Sequence, residues 1–152
     1  GYPNLIDDEW LWGGSIQEIY TTVSHGIRED SDDDSRYSEM PKFGEFMEDA
    51  EIAEIVQYVL ALSGQEGTAT EAGKELFVDN CESCHGEGGK GDRDQGAPNL
   101  TDAIWLYGGD SAALTTSIKN ARFGVMPAWA GRLSESQIRQ VATYIHQQGG
   151  GE

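Results

Sequence analysis

The chain repeats itself, and that constrains its fold more than any other feature. Pro3-Asn4-Leu5 returns as Pro98-Asn99-Leu100, and at the same spacing Trp10-Leu11-Trp12-Gly13-Gly14 returns as Trp105-Leu106-Tyr107-Gly108-Gly109. Further on, Met40-Pro41 returns as Met126-Pro127 at a shorter spacing. That shorter spacing also carries Ile52, Ile55, Val56 and Val59 onto Ile138, Val141, Ala142 and Ile145, and Tyr58 onto Tyr144. The first copy thus holds extra residues between its Gly-Gly and its Met, and the acidic run Glu29-Asp30-Ser31-Asp32-Asp33-Asp34 is the obvious insertion. Two tandem copies of one small fold explain the pattern, with domains expected at 1–64 and 65–152. The copies are unequal. The second has a leader from about Gln65 to Ala97, whereas only Gly1 and Tyr2 precede Pro3. The first domain is therefore expected to lack its opening helix and loop, as a fragment of a longer protein would.

Charge and hydropathy remove several classes of partner. Of 152 residues, 27 are Asp or Glu and 10 are Lys or Arg, a net charge of −17, which argues against binding nucleic acid or anionic lipid. The longest stretch without a charged residue, Gln140 to Gly151, is far shorter than the ~20 apolar residues of a membrane span. No basic, then apolar leader opens the chain, so a signal peptide is expected to be absent or already removed. Only two cysteines occur, three positions apart, which excludes a disulfide framework.

The apolar periodicity is helical. Ser15-Ile16-Gln17-Glu18 reads as a capping box before a stripe of Ile16, Ile19, Tyr20 and Val23. Ile52, Ile55, Val56 and Val59 mark a second helix closed by Gly64. Thr68-Ala69-Thr70-Glu71 opens a third, with Ala72, Leu76 and Phe77 expected inward. Asp110 can cap a fourth bearing Leu114 and Ile118, and Ser134-Glu135-Ser136-Gln137 boxes the last. No run alternates long enough to be a strand. The fold class expected is all-α, and these stripes are core.

Cys81-Glu82-Ser83-Cys84-His85 carries the chemistry, a C-x-x-C-H run at the end of a predicted helix. Two thiols one turn apart can each add to a vinyl group of one haem, and the adjacent imidazole can then bind the iron. A zinc site would need two more Cys or His ligands at matching spacing, and no other cysteine exists. A thioredoxin-like pair would expect a β-α-β surround, and an inert buried pair would not call for the following His. Met126, in Gly124-Val125-Met126-Pro127, is the expected sixth ligand, a thioether in a loop stiffened by proline. The alternative for Met126 is gap-filling in a core, the role assigned to Met47. The loop Gly86-Glu87-Gly88-Gly89-Lys90-Gly91 lacks the ending of a phosphate cradle and reads as a loop near the haem edge. His25 and His146 are expected to be structural or solvated.

Cys81 to His85, Gly96-Ala97-Pro98-Asn99-Leu100-Thr101-Asp102, Trp105 to Gly109 and Gly124 to Pro127 resemble the second cytochrome c domain of subunit III of cbb3-type cytochrome c oxidases. Tyr2 to Asp8 through Ser38-Glu39-Met40-Pro41 resembles the first haem domain of that dihaem subunit. The doubled Trp-Leu-(Trp/Tyr)-Gly-Gly is the specific part, since C-x-x-C-H is generic to c-type cytochromes. The resemblance implies tandem cytochrome c-like domains that pass electrons from a donor cytochrome c towards the oxygen-reducing catalytic subunit, beside a monohaem cytochrome subunit. It implies one haem c in this chain, on Cys81 and Cys84 with His85 and Met126 axial, and Pro98 orienting His85 through its carbonyl. Met40 would be axial to a first-domain haem, should an upstream segment supply one. It also places the subunit on the periplasmic side of the bacterial inner membrane, anchored by a segment that this chain does not show. No catalysis is expected from this chain alone. The rival readings are a periplasmic haem enzyme or its dedicated dihaem domain, thiosulfate-oxidising or peroxidase-like, and a redox-silent docking module.

Overall fold

The computed structural model describes residues 2–148. Among them the chain is all-α: α1 (Ile16–His25), α2 (Asp49–Leu62), α3 (Glu71–Asn80), α4 (Glu82–His85), α5 (Ser111–Asn120) and α6 (Glu135–His146), with single 3-10 turns at Phe43–Glu45 and Glu87–Gly89. Among the described residues β pairing is limited to isolated bridges.

The helix ends follow local chemistry. Ser15 accepts from the backbone N–H of Glu18 while the Glu18 carboxylate accepts from that of Ser15, and Ser134 and Gln137 do the same for α6. Thr70 caps α3 through Gly73 N–H, and Asp110 caps α5 through Ala113 N–H. Each bond satisfies a helical N–H that would otherwise lack a partner.

The helices gather into two compact units. The first, here the cysteine unit, is built from Glu39–Asp92 and Ala97–Phe123, and the second, the terminal unit, from Tyr2–Ser38, Arg93–Gly96 and residues 124–148. Each unit thus takes residues from both sequence repeats.

In the cysteine unit α2 is the central element. Ile52, Ile55 and Val56 are at most 1% exposed and pack with Phe43, Phe77, Cys81, Leu100, Leu114 and Ile118. Helix α3 packs on α2, and the Tyr58 and Phe77 rings meet at 5.2 Å in a tilted arrangement. Gly73 permits the close approach, since a Cβ there would lie 2.6 Å from the Glu54 carbonyl oxygen. Ala72, expected inward, is exposed, and the buried position beside it is the glycine. The backbone crossing, not side-chain size, chose the inward residue. Helix α5 packs on α2 and on the Phe43–Glu45 turn, and Lys119 pairs with Asp49 at 2.6 Å.

In the terminal unit α1 packs on α6. Ile19 and Val23 meet Ile138 and Ala142, with Trp10, Tyr20, Met126, Trp129 and Val141 around them. Ile16, expected on that stripe, is the first residue of α1 and is 46% exposed.

Candidate functional site

Helix α3 runs almost unbroken into α4, with Cys81 at the junction. Cys81 N–H still donates to Phe77 at 2.8 Å, while its carbonyl accepts from Cys84 N–H at 3.2 Å and His85 N–H at 2.9 Å. One turn therefore carries both thiols and the imidazole. Gly86, at φ +73°, ends the turn and sends the chain away. Both cysteines are free thiols, Cys81 buried beside Phe77 and Cys84 half-buried. Burial, and then the neighbouring Cys84, push the Cys81 thiol up to about 12.

The His85 ring is held from behind. Its Nδ1 lies 3.0 Å from the Pro98 carbonyl oxygen. A carbonyl only accepts, so Nδ1 carries the proton and Nε2 is left as the ligand atom. Burial lowers the His85 pKa, partly offset by the bond to Pro98, and so favours the neutral imidazole a metal needs.

The glycine-rich loop sets the distance between these two residues. Gly91 N–H donates to the His85 carbonyl at 2.6 Å and Leu100 N–H donates to that of Gly89 at 2.7 Å. Asp92 and Ala97 exchange backbone bonds at 3.1 and 3.0 Å. Gly91 has φ +85°, and a Cβ there would lie 2.8 Å from Asn99 N, so no other residue fits. The sequence shows this loop as glycine-rich but not its use as a brace. Reciprocal bonding to a segment several residues away leaves no local periodicity.

Phe77, Leu100, Leu114 and Ile118 are buried around Cys81, with Met40, Met47 and Trp105 packed against the same cluster. Met126 lies in the terminal unit. Its backbone exchanges bonds with Ile27, both at 2.9 Å, and its side chain packs on the α1–α6 core. The structure thus brings Cys81, Cys84, His85, Pro98 and Met40 into one unit and places Met126 in the other.

This donor set fits haem c: two free thiols on one turn, an imidazole fixed through Nδ1, and an apolar surround. It does not fit a bare cation, because among the described residues the donor atoms that converge belong instead to His25, Asp32 and Asp34. There His25 Nδ1 meets the Asp32 carboxylate at 3.1 Å, and that carboxylate accepts from Asp34 N–H at 2.9 Å. The pair ties the acidic insertion to the end of α1.

A model of the family described as cytochrome c oxidase, cbb3-type, subunit III matches residues 68–145. The Cbb3-type cytochrome c oxidase subunit CcoP of Cereibacter sphaeroides is 58% identical over 156 residues, covering all of this chain and 54% of that protein. Its counterpart CcoP in Rhodobacter capsulatus is 52% identical over 165 residues, covering all of this chain and 55% of its own length. FixP of Sinorhizobium medicae is 47% identical over 154 residues, covering all of this chain and 53% of its own. The chain spans about half the length of the curated relatives it matches. The thiosulfate-oxidising and peroxidase-like alternatives find no support in these similarities. With half of its residues matched by the family model, this chain belongs to the subunit III family of cbb3-type cytochrome c oxidases.

Proposed function

We propose that this chain is an electron-transfer module of a terminal respiratory oxidase, carrying one haem c on Cys81 and Cys84 with His85 bound to the iron. When bound, haem c supplies a one-electron iron couple. The protein's part is to fix the imidazole, exclude water and hold the group covalently. The observation that carries this reading is the His85–Pro98 bond at 3.0 Å directly behind two free thiols. A carbonyl partner of this kind orients the ring and raises its basicity.

The two repeats, 1–64 and 65–152, are two cytochrome c-like domains in this reading, and the opening helix and attachment loop of the first would come from an upstream segment. The partners are the catalytic and monohaem subunits of the oxidase and a donor cytochrome c, and the module works on the periplasmic side of the inner membrane. Among the described residues no helix is long and apolar enough to cross a membrane.

Intact-mass spectrometry of the matured chain tests the haem count, and one haem addition is expected. Two additions, or none, would sink the reading. Cys84→Ser should leave at most one thioether and shift the visible spectrum of the reduced protein.

A further inference from the structure

We propose that Trp12 is a positioning residue for the haem held by His85. Its ring buttresses the tip of the loop that returns to Pro98, and so sets how firmly the Pro98 carbonyl holds the imidazole. The proposal rests on the haem reading above and deepens it. Trp12 belongs to the first repeat and His85 to the second, so nothing in the C-x-x-C-H run points to it.

The loop leaves His85 at Gly86 and comes back at Ala97. Asp92 and Ala97 pair across its neck, and the four residues beyond, Arg93–Gly96, are packed in the terminal unit. Gly96 has φ +59°, and a Cβ there would lie 2.2 Å from Trp12 Cε2, 2.3 Å from Cζ2 and 2.7 Å from Nε1. The indole thus lies against bare backbone, where no side chain fits. Next along the tip, the Ser38 hydroxyl donates to the Gln95 carbonyl. Two residues of the terminal unit therefore hold the tip, one by close packing and one by a hydrogen bond.

Both holders are themselves fixed. Trp12 is 7% exposed. Its neighbour Gly13, at φ +86°, makes room for the Glu18 carboxylate, since a Cβ there would lie 2.2 Å from Oε1. That carboxylate is part of the Ser15 capping box. The Arg36 guanidinium, whose Nε donates to Thr22 Oγ1 at 2.9 Å, lies 5.6 Å from the centroid of the indole. The Ser38 carbonyl accepts from Arg28 Nε at 2.7 Å. Trp12 is thus tied to α1 and does not simply follow the loop.

Only Ala97 separates Gly96 from Pro98. The proline confines Ala97 to extended backbone. On the other side, a Cβ on Gly91 would meet the Ala97 carbonyl oxygen at 2.9 Å and the Pro98 carbonyl carbon at 3.1 Å. With no slack on the Gly91 side, a displacement of Gly96 is passed on to the Pro98 carbonyl. That carbonyl accepts from His85 Nδ1 at 3.0 Å. Weakening the bond makes the imidazole a poorer donor to iron and favours the ferrous state.

The test uses the haem-bearing chain with Trp12→Phe, with Gly96→Ala and with the two combined. Trp12→Phe removes the indole atoms next to Gly96 and keeps a ring for Arg36. Ile19→Val, in the α1–α6 core, destabilises the same unit without touching the tip. The NMR signal of the His85 Nδ1 proton in the reduced protein, and its rate of exchange with solvent, report the bond itself. Redox titration reports its effect on the iron. Trp12→Phe should move the proton signal upfield, speed its exchange and raise the reduction potential. Gly96→Ala should do the same in the parent but add little to Trp12→Phe, because the two act through one contact. Ile19→Val should lower the melting temperature and leave the proton and the potential at the parent's values. An unmoved proton and potential in Trp12→Phe, additive shifts in the double variant, or an equal shift in Ile19→Val overturns the proposal. If either tip variant fails to take up haem, Ser38→Ala replaces it by deleting the bond to Gln95, and it should shift both signals in the same direction; unmoved signals there are equally fatal. A parent with haem and silent variants removes this inference alone, whereas a parent without haem removes the functional reading as well.

Discussion

The Cys81 thiol is held protonated by its surroundings, and this separates two cysteines that the motif treats as equivalent. Its pKa is pushed up to about 12 by burial, while Cys84 is half-buried at the open end of the turn. Thiolates, not thiols, are alkylated. In the chain before haem attachment, iodoacetamide at neutral pH should label Cys84 first, and peptide mapping by mass spectrometry checks this; equal labelling would show that Cys81 is not shielded. The same shift has a stability consequence. The folded pKa lies above the ordinary 9.0, so between about 9 and about 12 the unfolded chain binds fewer protons and the folded state loses stability as pH rises. Chemical denaturation across that window should show a falling midpoint, which Cys81→Ala should flatten. The identity of these residues was legible from C-x-x-C-H alone. Their inequality was not, because burial is set by Phe77 and its neighbours and not by the motif.

Helix caps were the most legible elements, since a capping box is written in four adjacent residues. Ser15→Ala and Ser134→Ala should each cost about 1 kcal/mol, read as a lowered midpoint in chemical denaturation. The bonds from Ser15 also lower the Glu18 pKa, so that contribution is present above the usual 4.5 and fades as pH falls below it. The crossing of α2 and α3 was much less legible. Gly73→Ala should cost roughly 1–3 kcal/mol, because its methyl group would press on the Glu54 carbonyl. Gly131→Ala, with nothing within 4 Å, is the control and should be near neutral. Thermal melts of the two variants decide the matter; equal melting temperatures would mean the crossing is loose. The repeat announced that α2 and α6 are equivalent, and for the same reason it could not say which partner each takes. Ile52, Ile55 and Val56 offer nearly the stripe that Ile138, Val141 and Ala142 offer. The choice between them is a long-range competition that no local pattern records.

At the scale of the molecule the net charge of −17 should act on association more than on the fold. The acidic insertion holds part of that charge, and Asp32 has a structural task there, bound to His25 and to Asp34 N–H. Asp30, Asp33 and Asp34 are the residues to neutralise if steering is to be separated from folding. Replacing them with Asn should slow reduction by a cationic cytochrome c at low salt, with the difference vanishing as the Debye length shrinks towards ~3 Å near 1 M salt. Stopped-flow rates across a salt series provide the measurement. A gap that persists at high salt would point to lost contacts instead of lost steering.

The pairing of α1 with α6 also imposes an order on biosynthesis. Helix α1 leaves the ribosome well before its partner α6, with α2 to α5 made between them. Until then Ile19 and Val23 lack the Ile138 and Ala142 side chains that complete their cluster, while the segments that enclose Cys81 are all available once Phe123 has emerged. The cysteine unit can therefore close first, and α1 must wait for α6. A stalled chain ending before Glu135 should show α2 to α5 resistant to protease and α1 cut. Interruption between α5 and α6 would thus strand α1, made before the cysteine unit, and not the segments made after it, in an exposed and chaperone-dependent state.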